Sequence, residues 1–267
     1  MNPPLKVLLV NDDGIHAPGL RAIRDALLEL GDVQVAAPLV EQSGVSHRIT
    51  YLHPIIVKEV QNPDGSHFGW AVDGSPADCV KLGVMELCTG GWPDLIVSGI
   101  NSGANVGINT LYSGTVAAAI EGALFGITSI AVSLQQGAMA PDYVTTAKQT
   151  VGLIRQILDV CAGTPTLWSI NFPETAAMPP KGVRLTSMGF RRNADTVEKR
   201  IDPRGRPYYW SGIDPLKNHA LEPGTDVKEL QDRYITLTPL HFDLTEERIL
   251  STLSGREWKL PPVDRSA

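Results

Sequence analysis

Short aliphatic runs alternate with helix-period segments from Leu5 to Pro173 in this 267-residue chain, and that rhythm limits the fold more than any other feature. The run "LKVLLV" (5–10) reads as a strand. In "PGLRAIRDALLELG" (18–31), Leu20, Ile23, Leu27 and Leu30 recur at helical spacing, with Pro18 near the start and Gly31 after the end. Further strands are expected at "VQVAAP" (33–38), "PIIVKEV" (54–60), "PDLIVSG" (93–99), "SIAVSL" (129–134) and "TLWSINFP" (166–173). Helices are expected at "GTVAAAIEGALFG" (114–126) and "VTTAKQTVGLIRQILDV" (144–160), the latter with Val144, Ala147, Val151, Ile154 and Leu158 on one face. An α/β fold follows, with a mostly parallel sheet and helices on both faces. After Phe190 the rhythm stops. The segment "RRNADTVEKRIDPRGRPYYWSG" (191–212) centres on the turn Asp202-Pro203-Arg204-Gly205 and reads as a protruding β-hairpin.

In open α/β sheets ligands bind beyond the carboxyl ends of the strands, which directs attention to three loops. Asn11, Asp12, Asp13 and Gly14 follow the first strand, "EQSGVSHRIT" (41–50) with Ser43 follows the second, and "GINSGANVG" (99–107) with Asn101 ends the central one. Two adjacent carboxylates repel each other, and a cation between them removes the conflict. Carboxylate, hydroxyl and amide oxygens form a hard ligand set that suits Mg²⁺ or Mn²⁺ better than zinc. One acid alone reads equally as a cap for the helix at Pro18, whereas two acids with two polar loops on one sheet edge favour the cation. The stretch "YSGTVAAAIEG" (112–122) starts a helix at Ser113, Gly114 and Thr115. Ser113 or Thr115 is a plain N-cap on one reading. On the other, a first turn of small residues with no capping box leaves backbone N–H groups open to a phosphate.

Composition removes several functions. A net charge of −6 argues against a surface that coats a polyanion, so any nucleotide the chain binds is expected to be small rather than a nucleic acid polymer. No G-x-G-x-x-G follows the first strand, and acids stand where a dinucleotide pyrophosphate would sit, which excludes the usual oxidoreductase pattern. A receiver-like module also pairs acids with Mg²⁺, but this chain is far longer. Cys79, Cys88 and Cys161 have neither zinc-like nor paired spacing and read as reduced thiols. The opening residues hold only the apolar run Val7–Val10, too short for a signal peptide or a membrane span, so no membrane association and a cytoplasmic location are expected.

The motifs "VNDDGIHAPG", "EQSGVSHRIT", "GSPADCV", "SGINSGANVG" and "YSGTVAAAIEG", in this order and spacing, resemble the SurE family of stationary-phase survival proteins. The resemblance covers residues 5 to 190, with "GTD" (224–226) and "TPL" (238–240) as weaker later markers. It implies a Rossmann-like catalytic domain over 1–190. Residues 191–267 would form a hairpin and C-terminal oligomerisation arm, partly packed back on the core, that joins a homodimer or homotetramer. The implied activity is that of a metal-dependent 5'-nucleotidase, an acid-type phosphatase acting on nucleoside monophosphates, with 3'-nucleotides and short polyphosphate as further substrates. The implied ligands of one Mg²⁺ or Mn²⁺ per subunit are Asp12, Asp13, Ser43 and Asn101. Ser113, Gly114 and Thr115 would hold the phosphate, Asp12 and Asp13 would also act in catalysis, and Asn11 would lie near the phosphate. A water oriented by cation or carboxylate is the expected nucleophile, with an aspartyl phosphate as the other route. A non-catalytic nucleotide-sensing stress protein would use the same pocket, and only turnover separates the two. His16, His47 and His53 stand as general-acid candidates against the ordinary reading of surface or packing histidines. Tyr112, beside the phosphate loop, is a candidate nucleoside contact.

Overall fold

The computed structural model describes residues 4–175, 178–189, 196–212 and 222–260. In chain order it contains β1 (Leu5–Val10), α1 (Pro18–Leu27), β2 (Gly31–Pro38), β3 (Val57–Gln61), β4 (His67–Val72), α2 (Pro76–Leu82), β5 (Leu95–Ser102), α3 (Gly114–Leu124), β6 (Thr128–Leu134), α4 (Tyr143–Val160) and β7 (Leu167–Phe172). Then come β8 (Val183–Leu185), β9 (Thr196–Ile201), β10 (Pro207–Gly212), α5 (Asp226–Gln231), β11 (Ile235–Leu240) and α6 (Glu247–Leu253). Nine strands form one sheet in the order β3-β4-β2-β1-β5-β6-β7-β11-β8. Neighbours pair parallel except β3 with β4 and β7 with β11. The expected α/β architecture is therefore the one observed.

Side-chain alternation along β1 explains why its whole run is apolar. Val7 and Leu9 enter the core under α1 and α4, and Leu8 and Val10 enter the opposite core under α2 and α3. Helix α1 buries Leu20, Ile23 and Leu27 against the first face, each burial contributing about 1.5–3 kcal/mol before entropy is counted. It ends earlier than the spacing predicts: Leu28 is its C-cap, and Gly31 opens β2 instead of closing the helix.

The sheet's edge holds a strand, β4, beyond those expected. Asn62-Pro63-Asp64-Gly65 turns β3 back on β4, so β4, not β3, lies beside β2. Residues beyond the βα rhythm are woven into the main sheet as well, because β11 sits between β7 and β8.

The expected hairpin is present as β9 and β10, a two-stranded antiparallel sheet of its own. Its turn is fastened by Asp202, whose carboxylate accepts the backbone N–H of Arg204 at 2.8 Å and of Arg206 at 2.9 Å. The expected boundary at Phe190, the start of the hairpin segment at 191–195 and the tail 261–267 lie outside the described residues.

Candidate active site

The chain passes from β1 to β2 on one side, yet β5 lies on the other side of β1, so a crevice opens between the carboxyl ends of β1 and β5. Asn11, Asp12 and Asp13 leave β1 there. Asn11 is fully buried and its amide is spent on the turn: it donates to the Gly14 carbonyl at 3.0 Å and accepts the Gly14 N–H at 3.2 Å. Gly14 has φ +99°, a conformation that a side chain disfavours, and this bend turns the chain sharply after the two acids.

Asp12 keeps the parity of Leu8 and Val10 and therefore meets α3. Its Oδ1 accepts the Thr115 hydroxyl at 2.6 Å. Gly114 packs against the same side chain so closely that an added Cβ would lie 2.9 Å from Asp12 Cβ, 3.1 Å from Oδ2 and 3.1 Å from Pro76 Cγ. Ser113 caps α3 by accepting the Val116 N–H at 3.2 Å. The first turn of α3, with its positive dipole end, thus stands directly on a carboxylate, which the Thr115 backbone N–H also faces. The α1 helix is capped by Ala17 without any side-chain bond, so neither Asp12 nor Asp13 is the helix cap that their position before Pro18 allowed.

Asp13 accepts the Ser102 N–H at 3.1 Å, which ties it to the end of β5 beside Asn101. The Asn101 side chain is half-buried and donates to the Gly103 carbonyl at 2.8 Å. Ser43 is reached through Gln42, whose N–H donates to the Asp12 carbonyl at 2.8 Å. The Ser43 hydroxyl itself is exposed and donates to Glu41 Oε1 at 2.6 Å.

Negative charge accumulates here without a basic partner among the described residues. Burial pushes the Asp12 carboxyl up to about 6; the Thr115 bond opposes the rise and Asp13 adds to it. Asp13 is also raised, chiefly by burial, with Ser102 opposing and Glu41 adding. No ion pair reaches Asp12, Asp13 or Glu41 among the described residues. Nor are three His, Cys, Asp or Glu side chains grouped there as metal ligands, so a cation would have to complete its shell with amide, hydroxyl or water oxygens. Two raised, adjacent carboxyls with neutral oxygens on the flanking loops fit a hard divalent cation.

The family described as Survival protein SurE matches residues 7–195. The chain belongs to the SurE family. It is 48% identical over 259 residues to the 5'-nucleotidase SurE of Rhodopirellula baltica, covering 97% of this chain and 100% of that one. It is 42% identical over 252 residues to the 5'-nucleotidase SurE 1 of Thermus thermophilus, covering 94% and 97%. The crystal structure of the SurE protein from Aquifex aeolicus superposes with a TM-score of 0.79 at 38% identity, covering 93% of this chain and 98% of that one.

Several residues of this SurE site escape a reading by motif. Glu41 adds a third carboxylate near Asp13. Gln136, beyond β6, donates to the Ser102 hydroxyl at 3.0 Å and so braces the residue that holds Asp13. Beneath the "GINSGANVG" loop, Asn105 and Asn171 bond each other: the Asn105 N–H donates to Asn171 Oδ1 at 2.8 Å and Asn171 Nδ2 donates to the Asn105 carbonyl at 3.2 Å. Asp226 of the "GTD" marker is buried and accepts the Gly107 N–H at 2.9 Å, which fixes the far end of the same loop. Asp78 of "GSPADCV" is a structural acid. It closes a capping box with Ser75, and despite burial the bonds from Thr50 and Ser75 hold its carboxyl below the ordinary range. Of the candidate histidines, His16 and His53 are exposed, whereas His47 reaches Glu121 on α3.

Proposed function

We propose that this chain is a metal-dependent nucleotidase that hydrolyses nucleoside monophosphates to nucleoside and phosphate. The observation that carries the reading is the direct contact of the α3 start with Asp12, through Thr115 and Gly114, beside a second acid that no cationic side chain pairs among the described residues. Relatives named as 5'-nucleotidases at 42–48% identity support turnover over nucleotide sensing alone.

In this reading Asp12, Asp13, Asn101 and Ser43 hold Mg²⁺ or Mn²⁺. When bound, the ion supplies charge neutralisation at the phosphoryl oxygens and lowers the pKa of a nearby water. The N–H groups of Gly114 and Thr115 receive the phosphate, and the α3 dipole adds to the attraction. Asp13 or Asp12 orients the attacking water and accepts its proton, and the hydroxyl of Thr115 keeps Asp12 in register. Asn11 contributes by shaping the turn that presents both acids. Substrates extend to 3'-nucleotides and short polyphosphate.

The test is hydrolysis of a panel of 5'- and 3'-nucleotides and polyphosphate after exhaustive chelation, then with Mg²⁺ or Mn²⁺ restored. Activity is expected to vanish on chelation and return with either ion; full activity in the chelated protein would defeat the proposal. The panel also sorts nucleoside preference.

The catalytic domain is proposed to span 1–190 and the arm 191–267, with β11 as the part packed back into the sheet. No helix among the described residues is long and apolar enough to cross a membrane, and a cytoplasmic location is part of the proposal. A homodimer or homotetramer is proposed because Tyr208, Tyr209 and Trp210 are 40%, 59% and 59% exposed on a two-stranded hairpin, which is marginal alone. Light scattering is expected to show an oligomer at micromolar concentration, and a smaller species once residues 196–210 are replaced by a Gly/Ser linker. A monomeric full-length protein would refute the assembly.

A further inference from the structure

Residues 41–50 carry Ser43 past the two acids, and the ties that hold this loop are unequal. At one end the Gln42 N–H bonds the Asp12 carbonyl at 2.8 Å. In the middle Ser46 donates its N–H to the Tyr112 carbonyl at 3.0 Å and its hydroxyl to the Leu111 carbonyl at 2.7 Å. At the far end the Arg48 carbonyl accepts the Ser75 hydroxyl at 2.6 Å and the Thr50 N–H reaches the Asp78 carboxylate at 3.0 Å. Each of these uses at least one backbone group. The remaining tie joins two side chains: His47 Nε2 lies 2.8 Å from Glu121 Oε2, and since a carboxylate only accepts, His47 donates.

Glu121 stands on α3 two turns beyond Gly114, on the helix face that meets Asp12. It is 7% exposed, a costly place for a carboxylate, and Lys81 Nζ lies 3.9 Å from its other oxygen. Ser46, next to His47, holds φ +54°, a conformation uncommon for a residue with a side chain and kept only where its surroundings enforce it. The loop is therefore held in its path rather than resting there.

We propose that His47 and Glu121 are a positioning pair that clamps the Ser43 loop onto the helix whose first turn forms the phosphate cradle. This rests on the nucleotidase reading for its consequence in turnover, but not for the clamp itself. Neither side chain is among the proposed cation or phosphate contacts; both act through Ser43. Releasing the pair frees the loop, so ion and substrate are held less well while the acids and the α3 start stay in place.

The experiment compares full-length wild type with His47→Ala, His47→Gln, Glu121→Gln and His47→Ala/Glu121→Ala. One readout is the rate of trypsin cleavage after the exposed Arg48 in metal-free protein, with the cut site mapped by mass; the other is KM, kcat and half-saturating Mn²⁺. His47→Ala is expected to speed cleavage about 5-fold and to raise KM and half-saturating Mn²⁺ roughly 3–10-fold, with kcat changed less than about 2-fold. His47→Gln, which keeps a donor, should recover most of both, and the double variant should be no worse than His47→Ala, as coupling requires. His47→Ala is expected to fold, since Lys81 still faces Glu121.

Unchanged cleavage, KM and Mn²⁺ demand in His47→Ala would overturn the proposal. So would a kcat loss shared equally by His47→Gln, which would make His47 a proton donor rather than a clamp. If the wild type shows no turnover, the nucleotidase reading fails while the cleavage rates still decide the clamp.

Discussion

Asp12→Asn and Asp13→Asn are each expected to lower kcat at least ~100-fold with the fold intact, because each removes a full negative charge from the place where a cation and a phosphoryl group are to be held. The isosteric amide keeps the structural bonds: Asn at position 12 still accepts from Thr115, and Asn at position 13 still accepts from the Ser102 N–H. The Asp12 variant carries a second signature that a mere structural acid would also show but a tolerant surface acid would not. In metal-free protein the folded carboxyl is pushed up to about 6 from 3.8 by burial. Between those two values the folded chain keeps a proton that the unfolded chain has released, so stability falls as pH rises through the window and the loss is complete above about 6. Asp12→Asn removes that penalty, and the metal-free variant should be more stable than metal-free wild type at pH 7 by about 1–3 kcal/mol, with the gap closing below pH ~4. Thermal unfolding with chelator at the two pH values measures it. Near-normal turnover in both variants would show that the acids are not catalytic, and an Asp12→Asn protein no more stable at pH 7 would show that the carboxyl is not strained by burial.

The parts of this fold that were legible are those where one local rule decided the outcome. A strand covered on both faces must be apolar throughout, so β1, β5, β6 and β7 stand out as aliphatic runs, and whatever follows them at the sheet edge is visible by contrast. That contrast is why Asn11, Asp12, Asp13 and Asn101 could be named. Strand β4 was hidden because Gly69 interrupts it; no side chain fits there, since a Cβ would lie 2.6 Å from Val35 Cβ. Strand β11 was hidden by Pro239, which lowers strand propensity yet is carried opposite Trp168 in the ladder to β7.

Within the site, the limits were of a different kind. Ser43 was assigned by motif, but that its hydroxyl turns to Glu41 depends on the path of a loop with no periodicity. The His47–Glu121 contact spans 74 residues, and nothing local marks either partner. Gly114 was named only as one member of a small first turn. That it must be glycine is a fact about Asp12, which lies in another element altogether.

That last point gives the second large effect. Gly114→Val is expected to lower kcat about 100-fold, with Gly114→Ala between it and wild type, although neither position 114 variant alters a reacting group. Even the first added carbon would sit 2.9 Å from Asp12 Cβ and 3.1 Å from Pro76 Cγ, with Asp12 on one side and the start of α2 on the other. The helix start and Asp12 must therefore separate, which stretches the 2.6 Å Thr115–Asp12 bond and withdraws the N–H groups from the carboxylates. Overpacking of this kind costs about 1–3 kcal/mol of stability, so activity loss has to be separated from unfolding. Gly83→Ala serves for that: its Cβ would meet Leu8 Cδ2 at 2.6 Å, in the same core but away from the acids. It should lose comparable stability while keeping kcat within about 3-fold, since a shifted Leu8 side chain can be absorbed without moving Asp12. If Gly114→Val and Gly83→Ala lose activity in the same proportion to stability, contact between α3 and Asp12 is only packing. If the valine variant is folded at assay temperature and inactive, the close approach of that helix start to the carboxylate is part of the catalytic geometry.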